Sequence, residues 1–223
     1  MSWYDTFSGF YDRMLERIYL EQRRAAAEAL RLEPGQVVLD IPCGTGQSFD
    51  GLAPRLLPGG VLIGSDFSAG MLERARERVR RKAWTHVHLH HGDVHALTPQ
   101  SLETAVGRPV ELDRLHVFLG ISAFPGWTEA FERLWGLLRP GGRCVVVDVH
   151  AERLGLHGRM VNLVAQADIR RRFWEPLERL ANGYERTELP SRWEHGGRLF
   201  LATGIKPPLS ARPPTSSPPP PPL

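Results

Sequence analysis

Apolar residues follow two different rhythms along the chain. Five short runs of strand length are rich in apolar and β-branched residues, and they begin at Val37, Val61, Thr85, Leu115 and Cys144. Longer stretches separate these runs, and in them the apolar residues recur every third or fourth position, which is the period of an amphipathic helix. Strands that alternate with helices at this spacing predict repeated β–α units in an open parallel sheet, and therefore an α/β fold.

The first run, Val37–Ile41, leads directly into a glycine loop. Asp40 lies at the end of this run, and the segment Asp40-Ile-Pro-Cys-Gly-Thr-Gly46 precedes a helix-compatible stretch, Gln47–Leu57. Glycines allow a backbone to approach a ligand closely, and the N–H groups at the start of a helix present partial positive charge. An ordinary strand-to-helix turn is the alternative, but a carboxylate followed by two spaced glycines favours a pocket for a small cofactor.

The second run also ends in a carboxylate, Asp66, and a helix is predicted at Ala69–Lys82. Asp66 lies about twenty residues beyond the glycine loop, where a nucleotide-binding fold needs an acidic group for the ribose hydroxyls. The alternative is that Asp66 caps the following helix, a task that Ser68 is also able to perform. The spacing favours ribose binding.

Histidines alternate with apolar residues in the third run. His86, His88 and His90 are expected on one face, and this face is either a zinc site or a solvated surface of an edge strand. We predict that no metal binds there. Gly92-Asp93-Val94 follows, at the end of the strand, where an adenine amino group would be within reach.

The fourth run ends at Gly120, and a helix over 128–138 with Thr128 as its N-cap is predicted after it. The breaker Arg139-Pro-Gly-Gly-Arg143 then leads to the fifth strand. In open parallel sheets, ligands collect at the carboxyl ends of the strands. Four residues fall at predicted strand ends, namely Asp40, Asp66, Asp93 and Gly120. Their convergence is a stronger signal than any single motif.

The two ends of the chain differ in character from its middle. Ser2–Leu32 is predicted to be helical, with an aromatic face that includes Tyr4 and Tyr11 and that either packs in the core or forms a lid over a cofactor. A basic amphipathic stretch covers 151–182, and it either packs on the sheet or contacts a membrane surface. Two closing strands, Tyr184–Leu189 and Arg198–Thr203, follow. The proline-rich segment 207–223 is expected to be a disordered tail.

Composition excludes several functional classes. The 223 residues are 42% apolar, and no apolar run reaches the length of about 18 residues that a membrane span requires. The net charge is only +3, without basic clusters interleaved with aromatics, so we expect no nucleic-acid partner. The N-terminus lacks signal-peptide features, and the two cysteines are too few for a disulfide framework. These features lead us to expect a cytoplasmic protein.

These motifs together resemble those of class I S-adenosylmethionine-dependent methyltransferases. The segments that carry the resemblance are Asp40–Gly46, Ile63–Asp66 with Met71-Leu72, Gly92–Val94 and Leu137–Gly142. The resemblance runs from about Val37 to Thr203, and it predicts one methyltransferase domain over 1–206 that includes an N-terminal helical lid. The family implies a three-layer, Rossmann-like, seven-stranded sheet that is mostly parallel with an antiparallel last strand.

The resemblance also implies how S-adenosylmethionine is held. Gly44 and Gly46 would cradle its methionyl end, Asp66 would bind the ribose, and Asp93 with Val94 would contact the adenine. Six further positions belong to the predicted cofactor site, namely Asp40, Pro42, Thr45, Phe67, Met71 and Gly120. Pro42 departs from the family, which usually has glycine there. Proline fixes φ and removes an N–H.

The acceptor is predicted only as a class. The chain is similar to quinone-pathway methyltransferases and to bacterial phosphatidylethanolamine N-methyltransferases, which implies a small or amphipathic, lipid-like acceptor, with peripheral membrane contact as an open alternative. The Asn/Asp-Pro-Pro-aromatic signature of the enzymes that methylate nucleic-acid amino groups is absent, because Ile121-Ser122-Ala123-Phe124 stands in its place. This substitution argues against DNA as the acceptor.

Two residues are candidates for a general base, should the acceptor need one. His150, at the end of the fifth strand, is the first, and Tyr11 is the second. An ordinary loop histidine is the alternative for His150. Two other functions stay open: a nicotinamide-dependent oxidoreductase, whose Gly-x-Gly-x-x-Gly fingerprint is not matched here, and a module that binds the cofactor without catalysis.

Overall fold

A computed structural model describes residues 18–152, 168–190 and 197–208. Three predictions concern residues outside these ranges: Tyr11 with most of the proposed lid, the middle of the basic stretch at 153–167, and the proline tail beyond Pro208. The seven-stranded sheet that the resemblance implies is present within the described ranges. Its strands are β1 Val37–Asp40, β2 Val61–Asp66, β3 Val87–His91, β4 Leu112–Phe118, β5 Leu138–His150, β6 Asn182–Leu189 and β7 Arg198–Ile205.

The strand order is β3-β2-β1-β4-β5-β7-β6, and β7 runs in the opposite direction to the other six strands. The predicted fold class is therefore confirmed, including the antiparallel last strand and the edge position of β3. Every residue of β1 and β2 is buried. Central strands of a parallel sheet are covered on both faces, so their sequences read as continuous apolar runs rather than as alternating ones.

Helices cover both faces of this sheet and make three layers. They are α1 Leu20–Ala29, α2 Phe49–Leu52, α3 Ala69–Arg81, α4 Pro99–Val106, α5 Trp127–Leu137 and α6 Glu175–Leu180. Side chains of α1, α2 and α3 pack in one buried cluster with Val38 and Val145, whereas those of α4, α5 and α6 pack in a second cluster with Leu39 and Val146. Neighbouring strand residues thus point to opposite faces.

Local structure differs from the sequence-based expectations in two places. The helix after the glycine loop is short, because α2 ends at Leu52 and a 3₁₀ turn that contains Pro54 follows. Helix α5 begins at Trp127 with Gly126 as its N-cap, so the expectation that Thr128 would be the cap is wrong. Pro176 lies in the first turn of α6, where its missing N–H costs no hydrogen bond.

The histidine face of β3 is not the solvated surface that its pattern suggested. His88 and His90 are half-buried, and α4 packs against this edge of the sheet. Burial lowers the pKa of both imidazoles. His86 makes a 2.9 Å hydrogen bond to the carbonyl of Ala53. The alternation of polar and apolar residues correctly predicted a strand, but a neighbouring helix covers its polar side.

Candidate cofactor site

Asp66 connects the glycine loop to the start of α3. Its Oδ2 accepts a 2.8 Å hydrogen bond from the Gly44 N–H, and its Oδ1 accepts a 2.9 Å bond from the Ser68 N–H. Burial raises the pKa of this carboxyl, the two backbone bonds oppose that shift, and the nearby Asp40 adds to it. Each carboxylate oxygen has lone-pair capacity for a further donor, as ribose binding requires.

The helix cap and the strand-end carboxylate are two different residues. Ser68 is the N-cap of α3, and its hydroxyl accepts a 3.3 Å bond from the Met71 N–H. Asp66 accepts hydrogen bonds from the N–H groups of Gly44 and Ser68, both of which lie outside the helix. The capping alternative is thus assigned to Ser68, and the role of Asp66 in ribose binding stays a prediction.

The glycine loop presents backbone toward open space. Gly44 has a φ of +54°, and a Cβ built on it would meet no atom of the described residues within 4 Å. Gly46 has a φ of +76°, and its Cβ would lie 2.7 Å from the Phe49 ring. Positive φ values favour glycine, and the open side at Gly44 leaves room for a ligand against the main chain. These residues fit a bound cofactor.

Pro42 and Gly120 are adjacent although 78 positions separate them. A Cβ at Gly120 would overlap the Cδ and Cγ atoms of Pro42, so only glycine fits beyond the end of β4. The proline that departs from the family pattern is therefore accommodated by a glycine on the neighbouring strand. Whether either residue contacts the cofactor remains a prediction.

A buried polar pair, which the sequence did not reveal, lies at the end of β1. Asp40 Oδ1 and His116 Nδ1 are 2.7 Å apart, and both side chains are 1% exposed. Asp40 Oδ2 and His116 Nε2 have no hydrogen-bond partner among the described residues. The only signal in the sequence was a histidine within the apolar run of β4, and the register of β1 against β4 places it opposite Asp40.

The predicted adenine end lies beside β3. Asp93 is exposed, and its Oδ1 accepts a 2.8 Å bond from the His95 N–H. Val94 is buried, and Phe67 is 74% exposed, which is unusual for a side chain of its size. Met71 is half-buried on α3. An exposed aromatic ring next to Asp66 is suited to stack on a base.

His150 lines an open cleft of about 670 Å³ near the carboxyl end of β5. Its Nδ1 lies 3.2 Å from the Arg171 carbonyl, which only accepts hydrogen bonds, so this ring nitrogen carries the proton. Its ring packs edge-on against Trp174, with centroids 4.7 Å apart. Trp174 and Phe200 also line the cleft. Tyr11, the second candidate base, lies outside the described residues.

Within the described ranges, no three histidine, cysteine, aspartate or glutamate side chains are grouped to hold a metal ion. His86 and His90 have other partners, since His90 Nδ1 lies 3.0 Å from the Ser65 hydroxyl. The absence of a metal from the functional protein remains a prediction. Among the same residues, no helix is long and apolar enough to cross a membrane.

Comparison with known proteins assigns the central part of the chain. A family described as "Methyltransferase domain" matches residues 38–142, which include the glycine loop, Asp66, Asp93 and Gly120. Residues 38–142, just under half of the chain, are thus similar to methyltransferase domains. The predicted resemblance to class I S-adenosylmethionine-dependent methyltransferases is thereby confirmed. The match favours this family over the nicotinamide-dependent alternative.

Two relatives that match this part of the chain are named demethylmenaquinone methyltransferase. A demethylmenaquinone methyltransferase of Listeria welshimeri is 27% identical over 150 residues, which are 65% of this chain and 60% of that protein. One of Deinococcus radiodurans is 31% identical over 145 residues, or 65% of this chain and 56% of that protein. The chain therefore spans less than two thirds of the length of these relatives.

The fold also resembles that of solved methyltransferases. Phosphoethanolamine N-methyltransferase 2 of Haemonchus contortus, in complex with phosphomonomethylethanolamine and S-adenosylhomocysteine, superposes with a TM-score of 0.66. The two proteins are 17% identical, and the match covers 84% of this chain and 52% of that one. At this identity the likeness concerns the fold alone.

Proposed function

We propose that this protein transfers a methyl group from S-adenosylmethionine to a small or amphipathic acceptor, and that the acceptor is a quinone-like ring. One observation carries the cofactor part of the proposal. Asp40 and Asp66 end neighbouring strands and flank a glycine loop whose main chain is open at Gly44. Both carboxyls are buried, and they interact electrostatically.

The electrostatics of this loop favour a cationic ligand. Burial, followed by the negative charges of Asp40 and Asp66, raises the pKa of the Cys43 thiol well above its usual value. A cation placed between two carboxylates offsets the electrostatic repulsion between them. S-adenosylmethionine carries a sulfonium and an ammonium group, and when bound it supplies an electrophilic methyl group. The protein needs only to orient the acceptor and exclude water.

Each part of the site then has a distinct task. The N–H groups and open main chain around Gly44 and Gly46 hold the methionyl end. Asp66, fixed by its two backbone donors, accepts hydrogen bonds from the ribose hydroxyls. Asp93 and Val94 border the adenine, and the exposed ring of Phe67 covers it. Charge-assisted bonds such as those to Asp66 contribute about 1.5–3 kcal/mol each.

The acceptor side is proposed from the His150 cleft and from the names of the relatives. With Nδ1 protonated and held by the Arg171 carbonyl, the His150 Nε2 lone pair is able to take a proton from an acceptor in the cleft. Trp174 and Phe200 border the cleft but are only 7% and 3% exposed, and six of its twelve lining residues carry charge. The choice of a quinone-like ring therefore rests on the curated relatives, which are named for demethylmenaquinone.

Two measurements test this function. Calorimetry with S-adenosylhomocysteine and with NAD should give binding only for the former. A methyl-transfer assay with labelled S-adenosylmethionine should then give product with a demethylated naphthoquinol and not with phosphoethanolamine. Binding of NAD alone would contradict the cofactor assignment. Cofactor binding without transfer to any acceptor in such a panel would instead favour a non-catalytic module.

A further inference from the structure

The unpartnered atoms of the Asp40–His116 pair call for an explanation that packing does not supply. Both side chains are almost fully buried, yet each has one polar atom without a partner among the described residues. A buried polar atom left without a hydrogen bond costs free energy, so native proteins pair such atoms with protein, water or ligand. Asp40 immediately precedes the glycine loop, where the cofactor's cationic end is proposed to lie.

We propose that His116 is a positioning residue that orients Asp40 toward the α-ammonium group of S-adenosylmethionine. This inference rests on the proposed cofactor binding and adds a residue to it. The His116 Nδ1–H donates to Asp40 Oδ1 and so fixes the rotation of the carboxylate. Asp40 Oδ2 is left to accept a hydrogen bond from the ammonium group, which is a charge-assisted interaction.

The imidazole is itself held in place by aromatic packing. His116 stacks on Phe118, with centroids 5.9 Å apart and an interplanar angle of 22°. Phe118 in turn packs edge-on against Tyr19, and the Arg23 guanidinium lies 5.3 Å from the centre of the Phe118 ring. A ring fixed in this way loses little further entropy when a ligand binds, which is the condition for a preorganised site.

Arg23 extends this packing to the glycine loop. Its guanidinium donates a hydrogen bond to the side-chain carbonyl of Gln47, directly after Gly46. Helix α1 therefore contacts the loop through Arg23 and the Asp40–His116 pair through Phe118. Helix α1 thus supports both the glycine loop and the oriented carboxylate of Asp40. We expect both to contact the methionyl end of the cofactor.

Two polar substitutions separate the two imidazole nitrogens. In His116→Asn the amide N–H takes the place of Nδ1, whereas in His116→Gln it takes the place of Nε2. Because only Nδ1 bonds to Asp40, His116→Asn should preserve the orientation of the Asp40 carboxylate and His116→Gln should not. Both substitutions put an amide in the same buried position, so the pair is matched for polarity.

The test compares two probes by calorimetry on the full chain. S-adenosylhomocysteine carries the α-ammonium group, whereas 5′-methylthioadenosine has the same adenosine and thioether but lacks the amino-acid end. His116→Gln should weaken S-adenosylhomocysteine binding about 10- to 100-fold and change methylthioadenosine binding less than about twofold. His116→Asn should stay within about threefold of wild type for both probes. Asp40→Asn should show the same selective loss as His116→Gln. The double variant, Asp40→Asn with His116→Gln, should bind S-adenosylhomocysteine no more weakly than Asp40→Asn alone.

Each contrary outcome has a defined meaning. Equal losses for both probes would show that His116 only supports the fold and would overturn the proposal. Retention of S-adenosylhomocysteine affinity in His116→Gln would overturn it as well. Thermal melting verifies that each variant is folded. If His116→Gln does not fold, the other two variants decide. The proposal requires that His116→Asn keep the preference for S-adenosylhomocysteine over methylthioadenosine and that Asp40→Asn lose it. A wild-type protein that binds neither probe would contradict the proposed function itself.

Discussion

Asp148, at the carboxyl end of β5, accepts two hydrogen bonds from Ser122 in the segment after β4. The Ser122 N–H lies 3.0 Å from Oδ2, and its hydroxyl lies 2.9 Å from Oδ1. The Val149 N–H adds a third donor at 2.8 Å. The carboxylate thereby holds the turn after β4 against the end of β5, between the proposed cofactor site and the His150 cleft.

This buried carboxyl predicts a pH-dependent contribution to stability. Burial raises the pKa of Asp148 to about 6, despite the opposing hydrogen bonds from Ser122 and Val149. A carboxyl whose pKa is raised in the folded state contributes its full stabilisation at pH values below its unfolded pKa. This contribution is lost as the pH rises through about 6. A shift from 3.8 to about 6 corresponds to about 3 kcal/mol.

The measurement is urea unfolding of wild type and Asp148→Asn near pH 4 and near pH 8. Asparagine does not titrate, so the free energy of unfolding of wild type should fall relative to that of the variant by about 2–3 kcal/mol between the two pH values. Ser122→Ala, which removes one donor to the carboxylate, should enlarge the loss. A difference between wild type and Asp148→Asn that is the same at both pH values would be incompatible with a raised pKa.

The overlap between a side chain at Gly120 and the Pro42 ring predicts a rescue experiment. Gly120→Ala should lower the free energy of unfolding by about 1–3 kcal/mol, because either the loop or the end of β4 must shift to make room. The same shift should weaken S-adenosylhomocysteine binding. The double variant Pro42→Gly with Gly120→Ala removes the ring and should recover most of both losses. If Pro42→Gly made the Gly120→Ala variant no better, the contact would not be the cause.

The strand ends at the candidate site could be predicted because each depends on local sequence. Asp40, Asp66 and Gly120 each follow an apolar run, and a parallel sheet brings the ends of such runs to one edge. His116 could not be found in this way. Its importance depends on the register of β4 against β1, which joins residues 76 positions apart and has no local signature.

The corrections also have a common physical origin. The periodicity of β3 predicted its two faces but not that α4 would cover the histidines, because the helix that covers a face is chosen by tertiary packing. The predicted start of α5 was wrong because Gly126, whose backbone is left-handed, occupies the N-cap position, and Thr128 lies inside the helix. Tyr11 and the proline tail beyond Pro208 lie outside the described residues, so the lid and the disordered tail remain predictions.

His150 is predicted to affect the chemical step and not cofactor binding. If its Nε2 accepts a proton from the acceptor, His150→Gln should lower kcat by about 10²-fold or more and leave the S-adenosylhomocysteine affinity unchanged. The assay is labelled methyl transfer to a demethylated naphthoquinol.

A matched histidine controls for general effects of the substitution. His86 also bonds a backbone carbonyl, that of Ala53, but it does not line the cleft. His86→Gln should therefore keep kcat within about twofold of wild type. Equal effects of the two substitutions on kcat would leave His150 as an ordinary packed histidine.

Asp66 gives the most direct test of the cofactor site, since its neighbour Ser68 provides a matched control. Asp66→Ala should weaken binding of S-adenosylmethionine and S-adenosylhomocysteine alike, by about 30- to 1,000-fold, because both carry the same ribose. Ser68→Ala removes the hydroxyl that caps α3, so it should cost about 1 kcal/mol of stability with little change in affinity. Calorimetry and urea unfolding on both variants separate the two effects. Because Asp66 also holds the Gly44 N–H, a loss in Asp66→Ala that was confined to stability would mean that the carboxylate supports the loop but does not bind the ribose.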